Sequence, residues 1–144
     1  MASGRFSRDK GKRAEREVVK LLQPVVTRAF IDAYREAPEL ERNLMQSNKG
    51  GCDIAGLEWL ALEVKHHETV KLAEFWQQTK DQATAEQIPV LFYKSNRTKW
   101  RVMMFGHLPA HHLRVRCPVD ISLDHFLIWF DTKLRCELEI IDNK

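Results

Sequence analysis

The chain has 144 residues, 44% hydrophobic and 30% charged, with a formal net charge of +3. That length suits one domain with a single core, and the apolar-to-charged balance argues against a disordered or membrane chain. The longest apolar run near the C-terminus, Phe126-Leu127-Ile128-Trp129-Phe130, is too short to cross a bilayer, and the opening is polar and basic, so no membrane association and a cytoplasmic location are expected.

In chain order, residues 1–10 read as a flexible basic arm, with Arg5, Arg8 and Lys10 suited to phosphate backbones. From Gly11 the pattern turns helical. Ala14, Val18, Val19 and Leu22 share one face, while Arg13, Arg16, Glu17 and Lys20 lie opposite, with Glu17 toward solvent. Pro24 should end or kink this helix near Gln23. A second helical stretch is expected over 25–34, broken by Pro38, with 40–46 extended and 48–51 a loop. Residues 52–55 and 59–65 read as two strands of a hairpin turning at Gly56-Leu57-Glu58. A helix over 72–85 carries Leu72, Phe75, Trp76 and Thr79 along one side, with Phe75 and Trp76 in the core. Strands are expected at 90–94 and 100–105 around a turn at Ser95-Asn96-Arg97, whereas 107–116 shows no clear pattern. Ser122 can cap a short final helix with Leu123, Phe126, Leu127 and Phe130 as apolar surface for packing or dimer contact. The order predicts one mixed α/β domain over residues 11–144. Cys52, Cys117 and Cys136 include no CxxC pair and read as reduced thiols.

The informative chemistry lies in Asp53 and in Glu63-Val64-Lys65. Strand alternation puts Glu63 and Lys65 on one face, with Val64 on the other, and the hairpin brings Asp53 within a residue of Glu63 across the ladder. Two carboxylates and an ammonium at one spot suit phosphodiester hydrolysis: paired acids hold a hard cation, and a lysine steers the attacking water or offsets developing charge. The E-x-K spacing alone is equally that of a surface ion pair. Glu15 adds weight, because it falls within the apolar stripe of its helix, where a carboxylate is costly unless paired or metal-bound.

Gly11-Lys12-Arg13-Ala14-Glu15-Arg16-Glu17-Val18, followed by Asp53, Glu63-Val64-Lys65, a helix, and then Ile88-Pro89-Val90-Leu91, Lys94 and Trp100-Arg101, resembles the archaeal-type Holliday-junction resolvases of the PD-(D/E)XK nuclease superfamily and their bacteriophage-borne relatives. The resemblance spans roughly residues 11–105. It implies a restriction-endonuclease-like core, a mixed central sheet flanked by helices. It also implies catalytic positions at Glu15, Asp53, Glu63 and Lys65, with Asp53, Glu63, the Val64 carbonyl and Glu15 as metal ligands. Mg²⁺ would be the cofactor, with Mn²⁺ able to substitute, the partner branched DNA, and the assembly a homodimer. Arg16 falls on a DNA-contacting position, and Ser47 and Lys49 lie in the segment before the motif aspartate. Cys52 stands where the motif's proline would be, residues 24–45 look inserted, and 106–144 form an extension with no clear counterpart.

Lys12 and Arg13 on the helix, and Lys94, Arg97, Lys99 and Arg101 around the second turn, are further candidates to hold phosphates. His66 and His67 read as exposed strand-end residues, and Gln78 and Gln82 as candidates to line the site. The leading expectation is resolution of four-way junctions by paired nicks. The alternatives are a nicking, flap or restriction-type nuclease of replication or repair, and a non-catalytic DNA-binding module.

Overall fold

The computed structural model describes residues 2–43 and 52–142. Helix α1 (Ala2–Asp32) is followed by β1 (Glu41–Arg42), β2 (Ile54–Ala55), β3 (Leu60–His66), α2 (Leu72–Gln82), β4 (Ile88–Lys94), β5 (Arg101–Ala110), β6 (Leu113–Ser122) and α3 (Leu123–Asp142). The six strands form one sheet in sequence order. Every neighbouring pair is antiparallel except β3–β4, which run parallel with Leu60 opposite Ile88 and His66 opposite Lys94, α2 making the crossover.

Alternation along the central strands divides the core into two layers. On one side, Leu60, Leu62, Val64, Val90, Phe92, Val102 and Met104 meet Ala14, Val18, Leu22 and Val26 of α1 and Phe126, Phe130 and Leu134 of α3. On the other, Leu91 and Tyr93 meet Phe75 and Trp76 of α2. Because β3 and β4 are covered on both sides, they read as nearly unbroken apolar runs in which a buried acid stands out. Pro89 is tolerated inside β4 because Ile88 N–H donates to Trp59 on the β3 side at 2.8 Å. The missing donor of the next residue therefore faces β5, whose pairing with β4 ends at Val90–Met104.

Several expectations are corrected. The first helix does not begin at Gly11 but already includes the residues expected to form an arm, and it runs through Pro24 without ending. Proline removes one intrahelical bond, but Leu22, Val26 and Ala29 on either side are fully buried, so packing carries the helix across. The unassigned stretch 107–116 belongs to a long β5–β6 hairpin whose tip has His111 at φ 55°. The final helix is long rather than short; Ser122 Oγ accepts the His125 N–H as its cap, at 3.2 Å. Of the two uses expected for the apolar side of this helix, packing holds for Phe126 and Phe130, which are fully buried within this chain's own core. No helix among the described residues is long and apolar enough to cross a membrane.

Candidate active site

The hairpin register follows the spacing of the acids. Ile54 pairs with Leu62, and Asp53 N–H donates to the Leu62 carbonyl at 2.9 Å, which sets Asp53 beside Glu63. Gly56 makes the tight return possible: its φ is 134°, and a Cβ there would lie 2.8 Å from Leu40 Cδ2 and 3.1 Å from the Glu39 carbonyl oxygen. Both acids are nearly inaccessible, Asp53 at 7% and Glu63 at 1%. Asp53 Oδ2 accepts the backbone N–H of Val64 at 2.8 Å. The Val64 carbonyl points to the same β2 side by strand parity.

Burial raises the Glu63 carboxyl to about 9, helped by the charge of Asp53 and a hydrogen bond to it; Lys65 opposes the shift and Glu15 adds to it. Glu15 is also raised, first by burial, and its bond to Arg42 works against that. The Glu15–Arg42 ion pair is 2.5 Å long, with both side chains about one-fifth exposed. The structure thus brings Glu15, Asp53 and Glu63 into one electrostatic cluster. Lys65, on the same strand face as Glu63, lies 5.5 Å from the Phe75 ring centroid of α2.

The donor set tests whether a divalent cation suits this place. Among the described residues, no group of three or more His, Cys, Asp or Glu side chains forms a ready-made metal cage. Glu15, expected as a further ligand, is instead drawn to Arg42. What remains is two adjacent buried carboxyls, with the Val64 carbonyl on their side of the strand. Hard oxygen donors of this number fit a small divalent ion that retains several waters. The raised Glu63 value states the same fit electrostatically: the pair holds a proton where a dication would relieve the repulsion.

The other expected residues separate into groups. Lys12, Arg13 and Arg16 are exposed along α1, and Arg97 is exposed at φ 64° in the β4–β5 turn. Lys94 is drawn inward, 3.3 Å from Glu17 Oε1 and 4.7 Å from the Trp100 ring centroid. Arg101 pairs with Asp120 at 3.2 Å. Ser47 and Lys49 lie outside the described residues. Gln78 is exposed on α2 and Gln82 half-buried. Glu17, expected to face solvent, accepts the Trp100 indole N–H at 2.9 Å. His66, read as exposed, is half-buried against Trp100, whereas His67 is exposed with its ring 4.8 Å from that of Phe75. Sequence reasoning missed Arg42, whose role depends on a helix-to-strand contact with Glu15 across 27 residues that no local pattern announces.

A six-stranded mixed sheet flanked by three helices, with an aspartate and an E-x-K strand side by side, defines a nuclease-like α/β protein of the PD-(D/E)XK type. The family described as "Phage putative PDDEXK endonuclease" matches residues 6–119, and the chain belongs to it. PD-(D/E)XK nucleases generally use divalent metals. Comparison with curated proteins gives no match, and neither does comparison with solved structures.

Proposed function

We propose that this protein is a Mg²⁺-dependent endonuclease that resolves four-way DNA junctions by paired nicks, acting as a homodimer, with Mn²⁺ able to replace Mg²⁺. The observation that carries the nuclease part is the juxtaposition of Asp53 with Glu63 and Lys65 across the β2–β3 hairpin. The junction part rests on the Gly11–Val18 motif that carries Glu15.

In this reading Asp53, Glu63 and the Val64 carbonyl hold the cation, which when bound polarises the phosphoryl oxygen and eases ionisation of water. Asp53 is held ready by the Val64 N–H. To serve as a ligand Glu63 would have to release the proton that burial and Asp53 favour on it. Lys65 reaches the scissile phosphate from the same strand face and orients the attacking water. Glu15 positions this group through the shared field of the three acids, and Arg42 opposes the upward shift that burial imposes on it. Lys12, Arg13, Arg16, Arg97 and Lys99 carry phosphate contacts that set orientation rather than sequence. Two nicks placed symmetrically on a junction call for two sites related by a two-fold axis, which a homodimer supplies.

Cleavage of four-way junctions, flaps, nicked duplex and linear duplex, each with Mg²⁺, Mn²⁺ and chelator, tests the reading. Paired, symmetric nicks confined to the junction are expected. Equal cutting of flaps or linear duplex would reassign the substrate, and binding without cleavage under either metal would leave a non-catalytic DNA-binding module.

A further inference from the structure

The β5–β6 hairpin outruns the sheet. Pairing of β5 with β4 ends at Val90–Met104, while β5 and β6 stay paired as far as Ala110–Leu113, so residues 105–118 form a two-stranded ribbon beyond the other strands. Its faces differ in chemistry. Leu108, Ala110, Leu113, Val115 and Cys117 lie on one. His107, Arg114 and Arg116 lie on the other, and the pairings Glu63–Leu91, Leu91–Met103 and Met103–Asp120 put that second face on the same side of the sheet as Glu63.

Among the described residues the arginines of this face have no carboxylate partner. No Asp or Glu occurs between Arg101 and Asp120. Arg42, Lys94, Arg101 and Arg135 each have a carboxylate partner, whereas among the described residues Arg114 and Arg116 form no ion pair. The Arg116 guanidinium carbon sits 3.7 Å from the centroid of the Phe105 ring, which itself packs edge-on against Trp76 of α2 at 5.1 Å. Stacking fixes the guanidinium plane and leaves its N–H edge available to an anion.

We propose that this ribbon face grips the phosphate backbone of a second duplex arm of the DNA. The proposal rests on the DNA-cleaving reading above and adds where another arm would lie. Strand spacings place Arg116 and Arg114 roughly 20 and 24 Å from Glu63, about six or seven base-pair steps. Helix α2 packs on this face between the two regions, through Phe75 and Trp76. A helix is about 10 Å across, so a straight duplex seated at the carboxylates would have to climb over α2. Two arms diverging from a branch can lie one on each side.

The test is binding of the full-length protein to a four-way junction and to linear duplex, followed by anisotropy in chelator across a salt series. For Arg114→Ala/Arg116→Ala, junction affinity should fall about ten-fold and its log–log salt slope should flatten by about 2. Affinity for linear duplex should change by less than two-fold, and Arg114→Lys/Arg116→Lys should retain most junction binding. An equal loss on both substrates, or no loss on either, overturns the proposal. So does unchanged binding by a variant that elutes as a smaller species, which would make the ribbon a contact between copies. Cleavage is scored separately. A wild-type protein that binds junctions through the ribbon but cuts no DNA removes the nuclease reading alone. Normal cutting with unaltered binding by the ribbon variant removes the ribbon proposal alone.

Discussion

Asp53 Oδ2 and the backbone N–H of Val64 are 2.8 Å apart, so the residue between Glu63 and Lys65 also holds the acid of the neighbouring strand. This link makes the three side chains one unit, and their loss should be non-additive. Asp53→Asn keeps the shape and removes the charge. It should lower single-turnover cleavage by on the order of 10³-fold while DNA binding stays as tight or becomes tighter. Lys65→Ala should do likewise, and the double variant little worse than either. Cleavage by Asp53→Asn at near wild-type rates would remove this aspartate from the chemistry.

The Glu63 carboxyl, lifted from 4.5 to about 9, makes the metal-free protein pH-sensitive in a defined direction. The folded state binds a proton that the unfolded state has released, so this contribution to stability is complete below about 4.5 and is lost as pH rises toward 9. In chelator, melting temperature should fall with rising pH across that window, and Glu63→Gln should flatten the fall. Divalent metal should raise the melting temperature most at the alkaline end, where the ion no longer competes with the proton. A wild-type profile superimposable on that of Glu63→Gln would contradict the shift.

Glu15 stands apart from the other two acids because Arg42 already engages it. Glu15→Gln should therefore cost less than Asp53→Asn, about 10- to 100-fold in cleavage, and part of the loss should be recovered at higher Mg²⁺. A metal titration of the cleavage rate separates such a loss through weaker metal binding from a role on the attacking water, which added metal would not rescue.

Gly56→Ala tests the hairpin that aligns the acids. At φ 134°, with a Cβ 2.8 Å from Leu40 Cδ2, the substitution should destabilise the fold by about 1–3 kcal/mol. The denaturant midpoint should drop, and cleavage should fall even at temperatures where the variant is fully folded.

The acid hairpin was legible in the sequence because its logic is local: period-two alternation and a glycine turn bring Asp53 beside Glu63 without knowledge of the rest of the chain. The layer of α2 was equally legible from Phe75 and Trp76. Pro24 misled because a breaker's cost is intrinsic while its remedy, the burial of Leu22, Val26 and Ala29, is tertiary. The β5–β6 ribbon was opaque for two reasons. Its turn uses His111 at positive φ rather than Asn-Gly, and Pro109 and Pro118 interrupt what otherwise reads as strand. Glu17 was misjudged because its partners, Trp100 and Lys94, lie 83 and 77 residues further along the chain, just before β5 and at the end of β4.

The single parallel pairing, β3 with β4, has a consequence for synthesis. A nascent chain that has emerged only through α2 already contains Glu15, Asp53, Glu63 and Lys65, yet β3 lacks the neighbour along which all seven of its residues pair. The hydrolytic centre should mature only after β4 leaves the ribosome and slots in beside β3, a non-local step that is slow by its topology.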